Sequence, residues 1–206
     1  MRYTTLLVTE AGVVLFARHL ARLAPEGADV VAAFRSFAQT AAPGTYALRA
    51  DGGRLDVQPR PGSRLRDGLP TRVCVSPVAH LRGLLPKPPS PCPYDAVREV
   101  GTATLLTTAE GAELLEACVA AIVGWDGHHL VLPPLDRPRV DSVSEQAIRA
   151  SLPFVEAPLR VDGSLAVSLV NAVKGVCVIA PPARALFPDR AAAMIRQQFA
   201  AETARA

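Results

Sequence analysis

The chain has 206 residues, and half of them are hydrophobic, so it is long enough for one large domain or two small ones with a sizeable core. Its formal net charge is only +3, and basic and acidic residues are interspersed, which argues against a nucleic-acid partner. No apolar run approaches the ~18 residues of a membrane span, and the N-terminal apolar run is too short for a signal peptide. These features predict a cytoplasmic protein without a membrane segment.

Residues 1–82 predict a small α+β unit. Two apolar runs on either side of a turn at residues 10–12 predict a hairpin. Helical periodicity predicts helices over residues 17–23 and 30–41, with Asp29 as the cap of the second. Three runs separated by Gly and Pro then predict strands, with the sequences TYALRA, RLDVQPR and TRVCVSP.

Residues 83–93, with the sequence GLLPKPPSPCP, interrupt this pattern because five of the eleven are proline. Proline lacks a backbone N–H and cannot continue a helix, so a run of this kind is extended. We interpret the segment as a connection between two units.

Residues 94–206 predict a larger unit with two helices, over residues 143–152 and 190–203, and with Ser142 near the cap of the first. A hairpin is predicted in EACVAAIVGWDGHHLVLPP, with its turn at residues 126–127. Further strands are predicted in TATLLTT, FVEAPLRV, SLAVSLVN and GVCVIA. Because strands and helices do not alternate regularly, the pattern indicates an α+β fold with an antiparallel or mixed sheet.

The sequence carries none of the common motifs for dinucleotides, for phosphate loops, for zinc proteases or for serine hydrolases. Its four cysteines form no CxxC pair, which is typical of reduced thiols. His128 and His129 are adjacent, and a strand would point them to opposite faces. No metal site is predicted.

Lysine is scarce here, since Lys87 and Lys174 are the only lysines among 22 basic residues. Lysine, unlike arginine, offers an amine that can lose its proton and form a Schiff base. Pyridoxal phosphate is the most common partner for such an amine. Its site also requires a carboxylate facing the pyridine nitrogen, together with an arginine and a helix N-terminus for the phosphate.

Five segments of the chain, in order, resemble the fold-type IV (class IV) pyridoxal-phosphate-dependent aminotransferases. That family includes branched-chain and D-amino-acid aminotransferases and 4-amino-4-deoxychorismate lyase. The segments are YTTLLVTEAGVVLFARHLARL, KPPSPCPYDAVREV, AEGAELLEACVAAIVGWDGHHLVLPPL, RVDSVSEQAIRASL and SLVNAVKGVCVI. The resemblance implies a fold-type IV aminotransferase-like architecture: a small N-terminal α/β sandwich unit over residues 1–82, the connection over 83–93, and a larger mixed-sheet pseudo-barrel unit over 94–206.

The resemblance also implies roles for individual residues. Lys87 stands at the position that holds pyridoxal 5'-phosphate as an aldimine, and Glu116 at the position of the carboxylate that faces the pyridine nitrogen. Arg22, three residues after the matching His19, stands where the family binds the cofactor phosphate. The other implied cofactor-binding residues are Tyr94, Ser142, Val143, Ser144 and Asn171, and Lys174 matches a basic position.

Purely structural roles stay open for the same residues: Lys87 as a solvated residue of the connection, Arg22 as an exposed helix charge, Glu116 as a carboxylate at a strand edge, residues 142–144 as an ordinary N-cap and Asn171 as a turn residue.

Several positions depart from the family pattern. Pro91 stands in place of an arginine, Ala121 in place of an asparagine, Ser142 in place of a glycine and Glu145 in place of an arginine. The first segment lacks the usual glutamate, and the chain is shorter than typical members.

We therefore predict a homodimeric, pyridoxal-phosphate-dependent aminotransferase or aminodeoxychorismate-lyase-like enzyme that acts on an amino acid or a keto acid. The pairs Tyr94-Asp95 and Asn171-Ala172 favour the lyase-like branch. The alternatives are a catalytically degenerate scaffold of the same fold with a binding or assembly role, and an unrelated α+β domain.

Overall fold

The computed structural model describes residues 1–62, 65–89, 92–179 and 187–204. Pro91 and part of the proline-rich connection lie outside the described residues. Within those ranges the chain forms four α-helices and four β-sheets.

The first sheet is antiparallel and is built by the N-terminal segment. Its strands are β1 (Arg2–Thr9), β2 (Gly12–Val13), β3 (Gly44–Asp51) and β4 (Arg54–Arg60), in the order β2-β1-β3-β4. Alternate side chains of β1, namely Thr4, Leu6 and Val8, are buried. They lie on the face that packs against helices α1 (Phe16–Leu23) and α2 (Ala28–Thr40).

Both predicted N-terminal helices form, and aromatic packing joins them. The rings of Phe16 and Phe34 stack with their centroids 5.3 Å apart. The predicted cap at Asp29 is wrong, because α2 begins one residue before it and is capped by Gly27 with a φ of 116°. Glycine adopts such a φ without a steric penalty, while Asp29 lies in the first helical turn, where a negative charge favours the helix dipole.

The remaining elements belong to the second half and to the segment that leads into it. The strands are β5 (Thr71–Val75), β6 (Leu84–Leu85), β7 (Ala103–Thr107), β8 (Glu113–Ala117), β9 (Ala121–Trp125), β10 (Leu130–Leu132), β11 (Arg139–Val140), β12 (Phe154–Glu156), β13 (Leu159–Arg160), β14 (Ala166–Asn171) and β15 (Gly175–Val178). The helices are α3 (Val143–Ser151) and α4 (Asp189–Ala201).

These strands form two larger sheets, ordered β12-β10-β9-β14-β15 and β13-β8-β7-β5, and a small pair of β6 and β11. The first of them lies between two layers. Along β9, Ala121 and Val123 share an apolar cluster with α3 and α4, whereas Ile122 packs with β7 and β8. The pairs β5–β7, β6–β11 and β10–β12 are parallel, and the other pairs are antiparallel. The architecture is therefore α+β with mixed sheets, as predicted.

Two apolar runs that read as single strands are divided between sheets. The run EACVAAIVG turns between Ala117 and Ala120, so that β8 and β9 lie in different sheets. The run FVEAPLRV likewise supplies β12 to one sheet and β13 to the other. Because the residues before and after such a turn are both buried, the hydrophobic pattern does not reveal where the chain changes sheet.

The division of the chain into units over residues 1–82 and 94–206 stays a prediction, but one strand pairs across that boundary. Strand β5, which falls within residues 1–82, pairs in parallel with β7 of the second half, from Thr71 opposite Ala103 to Val75 opposite Thr107. Among the described residues, no helix combines the length and the apolar character that crossing a membrane requires.

Gly124 provides a test of the packing between the two larger sheets. A Cβ atom at this position would lie 2.6 Å from Leu159 Cδ2 and 3.3 Å from Val131 Cβ. We expect Gly124→Ala to lower the free energy of unfolding by about 1–3 kcal/mol, measured by urea denaturation, because overpacking forces the neighbours to move. Gly62→Ala is the control, since a Cβ there meets no atom within 4 Å. Equal stability of the two variants would contradict this packing.

Candidate active site

A cavity of about 180 Å³ lies where the first sheet meets the second half of the chain. The start of β1, the last turn of α1, the segment after β6 and the start of α3 form its walls. Its charged residues are Arg2, Arg22, Lys87 and Asp141. Three basic groups with one acidic group favour an anionic ligand.

Backbone pairing places Lys87 at this cavity. Strand β6 ends two residues before Lys87 and pairs with β11, with Leu85 opposite Val140. The N–H of Asp141 then donates to the carbonyl of Leu85 at 2.8 Å. These contacts bring the proline-rich segment beside the chain that leads into α3.

The Lys87 side chain is partly buried against the ring of Tyr3, with Nζ 5.4 Å from the ring centroid. Burial and, to a smaller degree, the positive charge of Arg22 lower the pKa of Lys87 to about 8. A substantial share of this amine is therefore neutral near pH 8, which is the form that acts as a nucleophile or a base.

Arg22 joins α1 to the start of α3. Its guanidinium donates to the carbonyl oxygen of Asp141, the residue before the N-cap of α3. Burial lowers the pKa of Arg22, while the charge of Asp141 opposes this effect and that of Arg2 adds to it. Arg22 is thus not the exposed helix charge that the sequence left open.

His19 lies one turn before Arg22 and is fully buried. Its Nδ1 is 2.7 Å from Thr4 Oγ1, and its Nε2 has no hydrogen-bond partner among the described residues. Burial, followed by the charges of Arg22 and Lys87, lowers the pKa of His19 well below its ordinary value, so the ring is neutral at physiological pH. Thr4 therefore anchors an uncharged ring beside two basic groups.

Glu116 is buried on β8 and has its own partners. Its Oε1 accepts from the Tyr94 hydroxyl at 3.0 Å, and the N–H of Val140 donates to both carboxylate oxygens at 3.1 and 3.2 Å. Burial raises the pKa of Glu116 to about 7, although these bonds favour the charged form. Burial also raises the pKa of Tyr94, so its hydroxyl stays a donor. Glu116 is not the solvated edge carboxylate that the sequence left open.

The residues at the start of α3 are arranged as a cap, as predicted. The Ser142 hydroxyl accepts from the N–H of Glu145 at 3.5 Å. Val143 and Ser144 are buried in the first turn, and the Ser144 hydroxyl has no partner among the described residues. The backbone N–H groups of a first helical turn are suited to an anion.

Asn171 and Lys174 lie in the turn between β14 and β15. Asn171 Oδ1 accepts from the N–H of Val173 at 3.0 Å and from that of Lys174 at 2.7 Å. Its Nδ2 donates to the carbonyl of Val119 at 3.3 Å, and the Lys174 side chain is exposed. The structure thus brings Lys87 and Arg22 together. Among the described residues, the other candidate cofactor-binding residues do not line their cavity: Tyr94, Glu116, Ser142, Val143, Ser144 and Asn171.

Glu145 has a structural use that the sequence did not reveal. It is buried and accepts from Arg139 at 2.5 and 3.1 Å and from Arg149 at 2.8 Å. Arg139, itself almost fully buried, also donates to the carbonyls of Pro133 and Pro134 at 3.0 and 2.5 Å. A buried carboxylate paired in this way fixes the approach to α3.

Sequence reasoning also missed the polar and aromatic residues that line the cavity beside Arg22 and Lys87: Arg2, Tyr3, Asp141 and Gln146. Arg2 lies just before the first segment that resembles the family, and Tyr3 begins that segment without an implied role. Only the meeting of β1 with the start of α3 brings them next to Lys87.

No protein-family model and no curated protein matches the sequence. Solved structures match over nearly the whole chain. A hypothetical aminotransferase from Mycobacterium tuberculosis, in its apo form, is 22% identical with a TM-score of 0.64, over 98% of this chain and 88% of that one. The 4-amino-4-deoxychorismate lyase from Pseudomonas aeruginosa is 18% identical with a TM-score of 0.61, over 96% and 88%.

A putative branched-chain amino acid aminotransferase from Thermotoga maritima is 13% identical with a TM-score of 0.68, over 98% of this chain and 85% of that one. The matching M. tuberculosis structures include one bound to PLP and one bound to α-ketoglutarate and PMP. At these identities the likeness establishes the fold. The predicted fold-type IV aminotransferase-like fold is confirmed.

The protonation of Glu116 can be tested through stability. Its pKa of about 7 in the folded protein lies above its ordinary value of 4.5, so between these pH values the folded protein holds a proton that the unfolded chain releases. The free energy of unfolding should therefore fall as the pH rises through this window, by up to about 3 kcal/mol from this group.

We expect Glu116→Gln to remove this contribution, so that the variant gains stability relative to wild type between pH 5 and pH 8 in urea denaturation. Glu110→Gln, which removes an exposed carboxylate, is the control for loss of charge. A constant difference in stability between Glu116→Gln and wild type across this range would contradict the raised pKa.

Proposed function

We propose that this protein is a pyridoxal-phosphate-dependent enzyme that acts on an amino-acid substrate, by transamination or by an aminodeoxychorismate-lyase-like elimination. The observation that carries the proposal is the Lys87 amine, whose pKa is about 8, in a cavity that also holds Arg22. The PLP-bound and PMP-bound structures of the same fold support it.

The residues of the cavity fit the cofactor at two points. Lys87 supplies an amine that can bond to the aldehyde carbon, and Arg22 supplies a guanidinium for the phosphate. In the absence of an anion, the basic groups at this site outnumber the acidic ones, so a phosphate would reduce their mutual repulsion. When bound, pyridoxal phosphate supplies an electron sink for charge that develops at the substrate α-carbon.

Lys87 has a second role once its amine is free. It removes the proton from the α-carbon of the substrate and returns a proton, which requires the neutral amine. Burial beside Arg22 favours that form. The ring of Tyr3 beside Nζ restricts the directions in which the lysine can reach.

The remaining assignments follow the resemblance. Glu116 would face the pyridine nitrogen, where a cationic partner would stabilise its charged form and Tyr94 would hold its orientation. The first turn of α3, with Ser142, Val143 and Ser144, would bind the phosphate through backbone N–H groups, and Ser144 offers a buried hydroxyl without a partner among the described residues. Asn171 would act by shaping the turn between β14 and β15. We further propose a cytoplasmic homodimer, as the resemblance implies.

A second candidate function is a scaffold of the same fold with a binding or assembly role. The environment of Glu116 favours this scaffold role. The carboxylate already accepts hydrogen bonds from the Tyr94 hydroxyl and from the N–H of Val140, and it does not line the cavity of Lys87. The two functions differ in whether the protein retains the cofactor.

The test compares the two lysines of the chain. Protein incubated with pyridoxal phosphate and then dialysed should keep a visible absorbance band in wild type and in Lys174→Ala, and should lose it in Lys87→Ala. Lys174 is the matched control because it is exposed and is the only other lysine. Borohydride reduction and peptide mass spectrometry should place the label on Lys87. A wild-type protein that retains no cofactor would support the scaffold, and a label on Lys174 would contradict the role of Lys87.

If the band is retained, the reaction can be identified with substrates. Amino acids that bleach the band would indicate transamination, whereas pyruvate release from aminodeoxychorismate would indicate the lyase reaction.

A further inference from the structure

Arg2 is a second arginine in the cavity, and the family resemblance gives it no role. It is the first residue of β1, pairs across the sheet with Ala50, and is partly buried. Arg2 lines the cavity together with Ala21 and Arg22 of α1 and with Pro25, which follows that helix. Arg2 and Arg22 therefore share one cavity.

The donors of Arg2 are uncommitted. Within the described ranges of the chain, Arg2 forms neither an ion pair nor a side-chain hydrogen bond, whereas Arg22 already donates to the carbonyl of Asp141. The one acidic residue of the cavity, Asp141, accepts from Gln146 Nε2 at 2.7 Å. The five N–H donors of the Arg2 guanidinium are thus available to a ligand.

Two guanidinium groups held close together repel each other. The charge of Arg2 contributes to the lowered pKa of Arg22, although burial is the larger cause. The amine of Lys87 adds a third positive charge to the cavity. Such an arrangement gains stability when a ligand with two negative charges binds, and a phosphate monoester carries about −1.5 to −2 at neutral pH.

We propose that Arg2 and Arg22 together bind the phosphate group of a phosphate monoester, and that Arg2 is a determinant of cofactor affinity. This inference rests on the proposed function, because the monoester in question is pyridoxal phosphate. A guanidinium forms two parallel bonds to phosphate oxygens, so Arg2 offers a complete fork where Arg22 has only part of its donors free. Arg2 lines the same cavity as Arg22, which stands at the phosphate position of the resembling family, and this favours phosphate over a carboxylate at the far end of a substrate.

The experiment compares pyridoxal phosphate with pyridoxal, which has the aldehyde but no phosphate. We expect Arg2→Met to lower the affinity for pyridoxal phosphate by about 10- to 100-fold, as the loss of charge-assisted hydrogen bonds implies, and to leave the affinity for pyridoxal unchanged. The affinity of Arg2→Lys for pyridoxal phosphate should lie between those of Arg2→Met and wild type, because lysine keeps the charge but cannot form two parallel hydrogen bonds. Arg54→Met, at an exposed position of the same sheet, should match wild type.

Binding of pyridoxal by each variant also reports whether its site is folded. If Arg2→Met keeps the wild-type ratio of the two affinities, the inference is wrong. A change confined to the preference among amino donors would assign Arg2 to a substrate carboxylate and would overturn it as well.

Inorganic phosphate separates this inference from the proposed function. We expect phosphate to raise the thermal unfolding temperature of wild type and of Arg54→Met, and to raise that of Arg2→Met less. If wild type binds neither pyridoxal compound through Lys87, the proposed function fails, and the phosphate measurement still decides the role of Arg2. Equal stabilisation of Arg2→Met and wild type by phosphate would rule out that role.

Discussion

The hydrogen bond from the Arg22 guanidinium to the Asp141 carbonyl links the N-terminal sheet and its helices to the start of α3, at the edge of the cavity that holds Lys87. Arg22 lies in the last turn of helix α1, and Asp141 precedes the N-cap of helix α3, so this bond connects the ends of two helices that come from distant parts of the chain. The pairing of β6 with β11 uses the same stretch of chain and ends beside Lys87. A guanidinium removed from water requires hydrogen-bond partners, and the residue that supplies one here, Asp141, also lines the cavity.

The protonation states around the cavity follow from its burial and from the concentration of positive charge. His19 is kept neutral, and about half of the Lys87 amine is neutral near pH 8, because burial and neighbouring cations disfavour a further charge. The same excess of positive charge favours an anionic ligand over an empty site. The lowered pKa of the amine and the excess of positive charge at the cavity thus have one electrostatic origin.

Glu116 illustrates how far single residues can be assigned from sequence. Its place in an apolar strand left two possibilities, a solvated carboxylate at a strand edge or one that faces a cationic partner, whereas the structure contains a buried carboxylate with uncharged partners. The partners are the Tyr94 hydroxyl and the N–H of Val140, which come from a short helical turn and from a strand more than 20 residues away. No local pattern specifies such a meeting. Glu145 is similar, because its place in α3 gives no sign that Arg139 and Arg149 enclose it.

The sequence by itself determined the helices, most of the strands and the α+β class. Through the ordered resemblance it also determined the fold, and it named Lys87 and Arg22 as candidate site residues, which line one cavity. Hydrophobic periodicity and turn residues act over short stretches of chain, so they can be recognised in the sequence. Tertiary structure alone decided that the run EACVAAIVG changes sheets, that β5 joins β7, and that Arg2 faces the same cavity as Lys87. These outcomes depend on which surfaces meet, and the burial of apolar surface that drives such meetings is not directional.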